Sequence, residues 1–251
     1  VPERTTPHRR IAYGMYMEGV DLPYAPDAAL WLLDPNWAAV FPTDGGLTFF
    51  AAMPTVDQLP RFKQDPEAAL IATHEALPDA PPIREGRRVG PVNGKIDMTN
   101  RIRRQVAPGL ALVGDAALAI DPLWGVGCGW ALQSAEWLAD SVTPALLRAE
   151  PLEAGLARYR KRHRRGLGGH SLLMQDYAKG RRLNPGERLL FAGAARDERL
   201  ARRFDAFGTR RIGPVRMFAT TVPRSIAVNT RHALRHRGEA PASVPAEAVR
   251  S

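Results

Sequence analysis

The sequence predicts a mixed α/β chain of the α+β kind: an antiparallel sheet first, the remnant of a parallel sheet next, and a helical region last. Three observations carry this. Between residues 9 and 54, large apolar side chains come in short alternating runs. Leu110-Ala111-Leu112-Val113 is apolar throughout, as in strands buried on both faces of a parallel sheet. From Cys128 onward, apolar residues return at helical spacing. The expected division is a sheet domain with one helix over residues 1–104, a middle segment over 105–150, and a helical region over 151–251.

Ile11, Tyr13, Met15 and Met17 alternate with smaller or polar residues, and Ala28 to Leu33 and Trp37 to Phe41 are further apolar runs. Thr43-Asp44-Gly45-Gly46 is a hairpin signal, because glycine tolerates the positive φ of such turns. The predicted sheet is rich in Tyr13, Tyr16, Trp31, Trp37, Phe49, Phe50 and Met53. Core packing is the simpler role for such a stripe, and a ligand-facing wall is the alternative. Asp65-Pro66-Glu67 is a helix start, with Asp as cap and Pro in the first turn, and this helix is expected to reach Leu77. Arg87 to Ile96 is extended. Ala131, Ala135, Leu138 and Val142 share a helical face, and Thr143-Pro144 is expected to start a second helix. Leu152, Leu156, Tyr159 and His163 continue the helical spacing, Asn184-Pro185-Gly186-Glu187 forms a capping box, and Asp197 opens a helix closed by Gly208. The tail after Arg237 carries Gly238, Pro241 and Pro245 and is expected to fray.

The segment with chemical content follows the apolar run. Gly114-Asp115 places a carboxylate at the C-terminal end of a strand, where open α/β sheets bind ligands. Gly125, Gly127 and Gly129 then lead into a helix whose first amides are unpaired and carry a partial positive charge. Side-chain-free backbone can approach a planar ring, and such a helix end suits an anionic ring edge. The spacing is not a dinucleotide fingerprint, since Trp130 stands where the third glycine would be needed. From the residues alone, a packing role for the glycine loop stays open beside a ligand role.

Gly114-Asp115-Ala116-Ala117, followed by Asp121-Pro122-Leu123-Trp124-Gly125-Val126-Gly127, resembles the G-D-A-A, x-P-x-x-G-x-G signature of the FAD-dependent monooxygenase superfamily. That group includes aromatic hydroxylases, flavin-dependent halogenases and geranylgeranyl-reductase-like enzymes. The resemblance covers residues 9 to about 150 and implies that the first sheet is the substrate domain and the apolar strand a remnant of the FAD-binding sheet. It places the ribityl chain on Asp115, the isoalloxazine beside Pro122, and the pyrimidine edge on Gly125, Val126, Gly127 and Cys128, with Gly114 and Ala116 in the same contact. It implies FAD as cofactor, NAD(P)H as electron donor, and C4a-peroxyflavin chemistry on an apolar or aromatic small molecule, with reductase and halogenase chemistry as alternatives. Tyr13, Trp31, Trp37, Phe49 and Trp124 are the candidate substrate-facing side chains, and no acid–base dyad stands out. The family's opening G-x-G-x-x-G segment, which holds the ADP half of FAD, has no counterpart in residues 1–251. The expected partner is therefore that segment, in a parent protein or another chain.

Thirty-five Lys and Arg against twenty-six Asp and Glu give a net charge of +9, with Lys only at 63, 95, 161 and 179. Such a balance can reflect a nucleic-acid or anionic-membrane partner, while arginine over lysine with abundant Ala, Gly and Pro is also what a high-GC coding sequence would produce. The charge is spread over many segments, which argues against a nucleic-acid partner, although a basic binding fragment is the rival from another class. The densest basic run, Arg158 to Arg165, fits the solvated face of a helix. The single cysteine, Cys128, excludes an internal disulfide, and no Cys or His spacing suits a metal. No apolar run reaches the roughly 20 residues of a membrane span. A cytoplasmic location is expected.

Overall fold

The computed structural model describes residues 1–122 and 125–237. The described residues divide into two compact units, Val1–His8 with Met98–Asn229, and Arg9–Asp97 with 230–237.

The second unit is built on a five-stranded antiparallel sheet. Its strands are β2 (Ala12–Glu18), β3 (Ala29–Leu33), β4 (Asn36–Pro42), β5 (Leu47–Met53) and β6 (Arg87–Lys95), in the order β3-β4-β5-β2-β6. The hairpin expected at Thr43 to Gly46 joins β4 to β5, with Gly45 at φ 69° and Gly46 at φ 73°. Opposed residues share a face. Met15 lies opposite Phe50, and Phe50 opposite Val40, so these three point to one side. Two helices, α1 (Leu59–Gln64) and α2 (Pro66–Glu75), supply Phe62, Ala69 and Leu70 to the same cluster. Phe62 and Leu70 are fully buried, each worth about 1.5–3 kcal/mol of transfer free energy. Asp65 caps α2 as its sequence indicates, its side chain accepting from the Ala68 amide at 2.9 Å.

The first unit holds a three-stranded antiparallel sheet of β1 (Glu3–Thr6), β7 (Asn100–Arg103) and β10 (Leu118–Ala119), in the order β1-β7-β10. Here the expectation of a parallel-sheet remnant is corrected. Val106–Ala107 (β8) and Leu110–Ala111 (β9) form a two-stranded antiparallel hairpin, and no strand among the described residues pairs in parallel. The Pro108-Gly109 turn, with Gly109 at φ 69°, folds the apolar run back onto its own neighbour. A parallel pairing needs a strand from elsewhere in the sequence, and Leu110 is left 43% exposed.

Among the described residues five helices follow: α3 (Gly127–Leu146), α4 (Leu152–Tyr177), α5 (Pro185–Ala194), α6 (Glu198–Gly208) and α7 (Pro214–Arg235). The break expected at Thr143-Pro144 does not occur. Pro144 lies within the last turn of α3 and forfeits only its own bond to the preceding turn, while Thr143 Oγ1 donates back to the Ala139 carbonyl at 2.8 Å. The capping box at Asn184 and Glu187 forms with both of its hydrogen bonds, at 2.9 and 2.8 Å. The Asp197 cap of α6 also forms.

Helices α3 and α4 meet through Trp130, Trp137, Tyr159, Leu167 and Met174. Gly155 marks their closest approach, because a Cβ there would lie 2.5 Å from the Ser141 carbonyl oxygen and 3.2 Å from Val142 Cα. Both obstacles are backbone and cannot rotate aside. Gly155→Val is therefore expected to destabilise the protein by about 1–3 kcal/mol, read as a lowered denaturant midpoint. An unchanged midpoint would show that the two helices can move apart at no cost.

Candidate functional site

The Gly114-Asp115-Ala116 stretch forms a single 3-10 turn after Val113, closed by the Ala117 amide on the Gly114 carbonyl at 3.0 Å. Two constraints demand glycine at 114: its φ is 53°, and a Cβ would lie 2.9 Å from that of Ala131 on α3. Ser134 completes the clamp. Its buried hydroxyl accepts from the Gly114 amide at 2.9 Å and donates to the Ala131 carbonyl at 3.0 Å. The turn is thus pinned to α3, while the side chains of Asp115 and Ala116 stay exposed. Arg103 holds their carbonyl oxygens from below, at 3.4 and 3.0 Å.

Asp121 anchors the next stretch. Its side chain is 1% exposed and stands 3.1 Å from His8 Nε2, which is equally buried. Its amide donates to Asn100 Oδ1 at 3.0 Å, and Asn100 Nδ2 donates to Thr6 Oγ1 at 3.1 Å. Three segments distant in sequence are therefore stitched together one residue before Pro122. Pro122 is exposed and accepts the Gly125 amide at 2.9 Å, with Gly125 at φ 60°.

Val126 turns into the apolar core, and α3 begins at Gly127 with no side-chain cap and no acidic residue in its first turn. Around Gly125 and Gly127 a Cβ would meet nothing within 4 Å, and Cys128 is exposed. Of the eight residues expected to touch the cofactor, Gly114 and Val126 are buried. The other six present carboxylate, small side chains or bare backbone to the outside. Uncapped first-turn amides with the positive end of a 20-residue helix behind them can receive an anionic ring edge.

The candidate substrate-facing residues divide. Tyr13 and Trp31 lie on the helix-covered face of the five-stranded sheet, against the cluster of Phe62 and Leu70, with the Tyr13 and Phe62 ring centroids 4.9 Å apart. Trp37 and Phe49 point to the opposite face, where Phe49 packs on Tyr16 at 4.8 Å and Trp37 is buried. Trp124 lies outside the described residues.

The helical region contains a cavity that no motif foreshadowed, of about 680 Å³ and reached from Gly125, Val126 and Gly129. Its walls come from α3 to α7, and His170 and Arg210 are polar groups in an otherwise largely apolar lining. His170 stacks on Phe207 at 4.6 Å. Burial, with Arg210 nearby, pushes its pKa down to about 4, so it is neutral at pH 7. A stacked pair from α4 and α6 and one arginine just beyond α6 leave no periodic trace in a sequence. Among the described residues no group of three His, Cys, Asp or Glu side chains could hold a metal. None of the described helices is long and apolar enough to cross a membrane. In the basic run on α4, Arg158 pairs with Glu150 and Arg162 with Asp140.

No family model matches the chain. It is similar to the digeranylgeranylglycerophospholipid reductase of Methanothrix thermoacetophila, with 36% identity over 84 residues, 34% of this chain and 22% of that protein. Among solved structures it is similar to the flavin-dependent brominase Bmp2, at a TM-score of 0.62 and 14% identity over 94% of this chain and 58% of that one. It is also similar to Klebsiella pneumoniae HpxO, solved with FAD and uric acid, at a TM-score of 0.54 and 14% identity over 91% and 56%. The chain thus spans less than two thirds of each of these relatives.

Proposed function

From the fold of the FAD-dependent monooxygenase and halogenase superfamily, which this chain has, we propose that residues 114–128 form the isoalloxazine-side contact of an FAD-dependent oxidoreductase. The observation that supports this most is the uncapped start of α3, reached across side-chain-free Gly125 and Gly127 and preceded by the exposed carboxylate of Asp115. Asp115 accepts hydrogen bonds from ribityl hydroxyls, Pro122 lies along the ring, and the amides of Gly127 and Cys128 meet the pyrimidine edge. The ADP half is held by residues outside these 251. FAD reduced by NAD(P)H supplies the redox chemistry. The chain's own part is to orient the ring, keep water from it, and stabilise negative charge on its edge through the helix dipole. Oxygenation of an apolar or aromatic small molecule is the first reading. Reduction is the second, supported by the 84-residue likeness to a reductase.

FAD is expected to raise the melting temperature of the chain, alone or extended by its upstream coding sequence. Asp115→Ala is expected to weaken FAD binding roughly tenfold or more, since charge-assisted hydrogen bonds are lost, and Asp115→Asn by less. Flavin fluorescence titration reads both. No FAD-dependent stabilisation in either length of protein would sink the proposal.

A further inference from the structure

We propose that the cavity enclosed by α3 to α7 binds an elongated apolar acid, its carboxylate paired with the guanidinium of Arg210 and its apolar body along Leu173, Phe191, Phe204 and Met217.

The argument begins with the charge. Arg210 is half-buried and held at φ 60°, a conformation that non-glycine residues seldom adopt. Its Nε donates to Gln133 Oε1 at 3.2 Å and its Nη1 to the Gly208 carbonyl at 3.1 Å, and the guanidinium lies 5.9 Å from the Trp130 ring centroid. All three partners are neutral. Among the described residues no carboxylate pairs with it. Of the two acids that line the cavity, Glu187 is taken by Arg181, and Asp205 is exposed on α6. Burial accordingly lowers the Arg210 pKa from its ordinary value, with no carboxylate to raise it again.

Its location adds to the imbalance. Gly129 lies in the first turn of α3, and a Cβ there would be 2.5 Å from Arg210 Nη2. The lack of a side chain at 129 thus lets a cation rest against the positive end of a helix, where a cation is the disfavoured charge. Desolvation and the helix dipole both oppose the lone guanidinium, and an anion beside it would relieve both. The neighbouring His170 is neutral at pH 7, so Arg210 carries the local charge.

The apolar walls specify the rest of the ligand. A cavity of about 680 Å³ falls within the usual range of small-molecule sites, and its lining would solvate an alkyl or aryl body but no second charge. Because Gly125, Val126 and Gly129 belong both to the cavity rim and to the glycine loop, the occupant would be the substrate if the proposed function holds. Binding itself does not require flavin.

The test compares decanoate with 1-decanol on the 251-residue chain, followed by tryptophan fluorescence, which Trp130 beneath Arg210 makes sensitive. Decanoate is expected to bind roughly 10- to 100-fold more tightly than decanol. Arg210→Gln should abolish that preference while decanol binding persists, and Arg210→Lys should keep part of it. Ala194→Trp, which fills the cavity, should weaken both ligands at least tenfold, with circular dichroism confirming that each variant folds. Equal affinities in the unmodified chain, or an undiminished preference in Arg210→Gln, would overturn the proposal. FAD titration of the same samples separates the two ideas: decanoate selectivity without FAD binding leaves this site standing and removes the flavin reading, and the reverse removes only this site.

Discussion

Asp121→Ala is expected to lower the stability of the chain by about 1–3 kcal/mol, the cost of removing one partner of a buried polar contact. The side chains of Asp121 and His8 are each 1% exposed and 3.1 Å apart. Removing the carboxylate takes a close polar partner from a buried imidazole, whose desolvation is then less well offset. The effect should reach the glycine loop. Asp121 immediately precedes Pro122, and its backbone is bonded to Asn100, which in turn holds Thr6. FAD retention should fall together with stability in Asp121→Ala, while Asp121→Asn, which keeps a hydrogen-bonding side chain, should recover part of both. Urea unfolding of Asp121→Ala, His8→Ala and the double variant would measure the coupling directly. Additive effects of the two single substitutions would show that the pair contributes nothing as a pair.

Acidification is expected to destabilise the protein between pH 6.5 and pH 4, before most carboxylates are protonated. His163 and His170 are both buried, and burial pushes each from its ordinary 6.5 down to about 4. The sign follows from linkage: below 6.5 the unfolded chain binds protons at these positions while the folded chain does not. Stability is thus intact above 6.5, falls as the pH drops, and stops falling on this account near 4. Two such histidines are expected to remove about 2–3 kcal/mol each by the end of that window, the lower figure allowing for solvent screening. His170→Phe preserves the stack on Phe207 and cannot titrate, and His163→Leu likewise removes its ring. Each should flatten the pH dependence of the unfolding free energy over this range. Curves parallel to that of the unmodified chain would place the acid sensitivity elsewhere.

Most of the first sheet was legible because its information is local. Alternation fixes which residues share a face, and the Thr43 to Gly46 turn and the Asp65 cap lie within a few residues of what they control. The same holds for the capping box at Asn184. The Leu110 run was misread for the opposite reason. An apolar run of four residues states that a strand is favoured but not what it pairs with, and the Pro108-Gly109 turn offered a nearer partner than a parallel sheet could. The Thr143-Pro144 break failed likewise, because a proline inside a helix forfeits one hydrogen bond to the preceding turn, a cost that the packing of the rest of α3 outweighs.

The sequence by itself determined the sheet's two-faced pattern, the helix caps, and the special segment from Gly114 to Cys128, with its carboxylate, proline and glycines in one continuous stretch. Only the tertiary structure decided what holds that segment and what it borders. Ser134 clamping Gly114, His8 meeting Asp121, and Arg210 resting where Gly129 has no side chain all join residues 20 to 113 positions apart. Local pattern records propensity and periodicity, whereas the match of one buried polar group to another depends on where the packed backbone brings distant residues together.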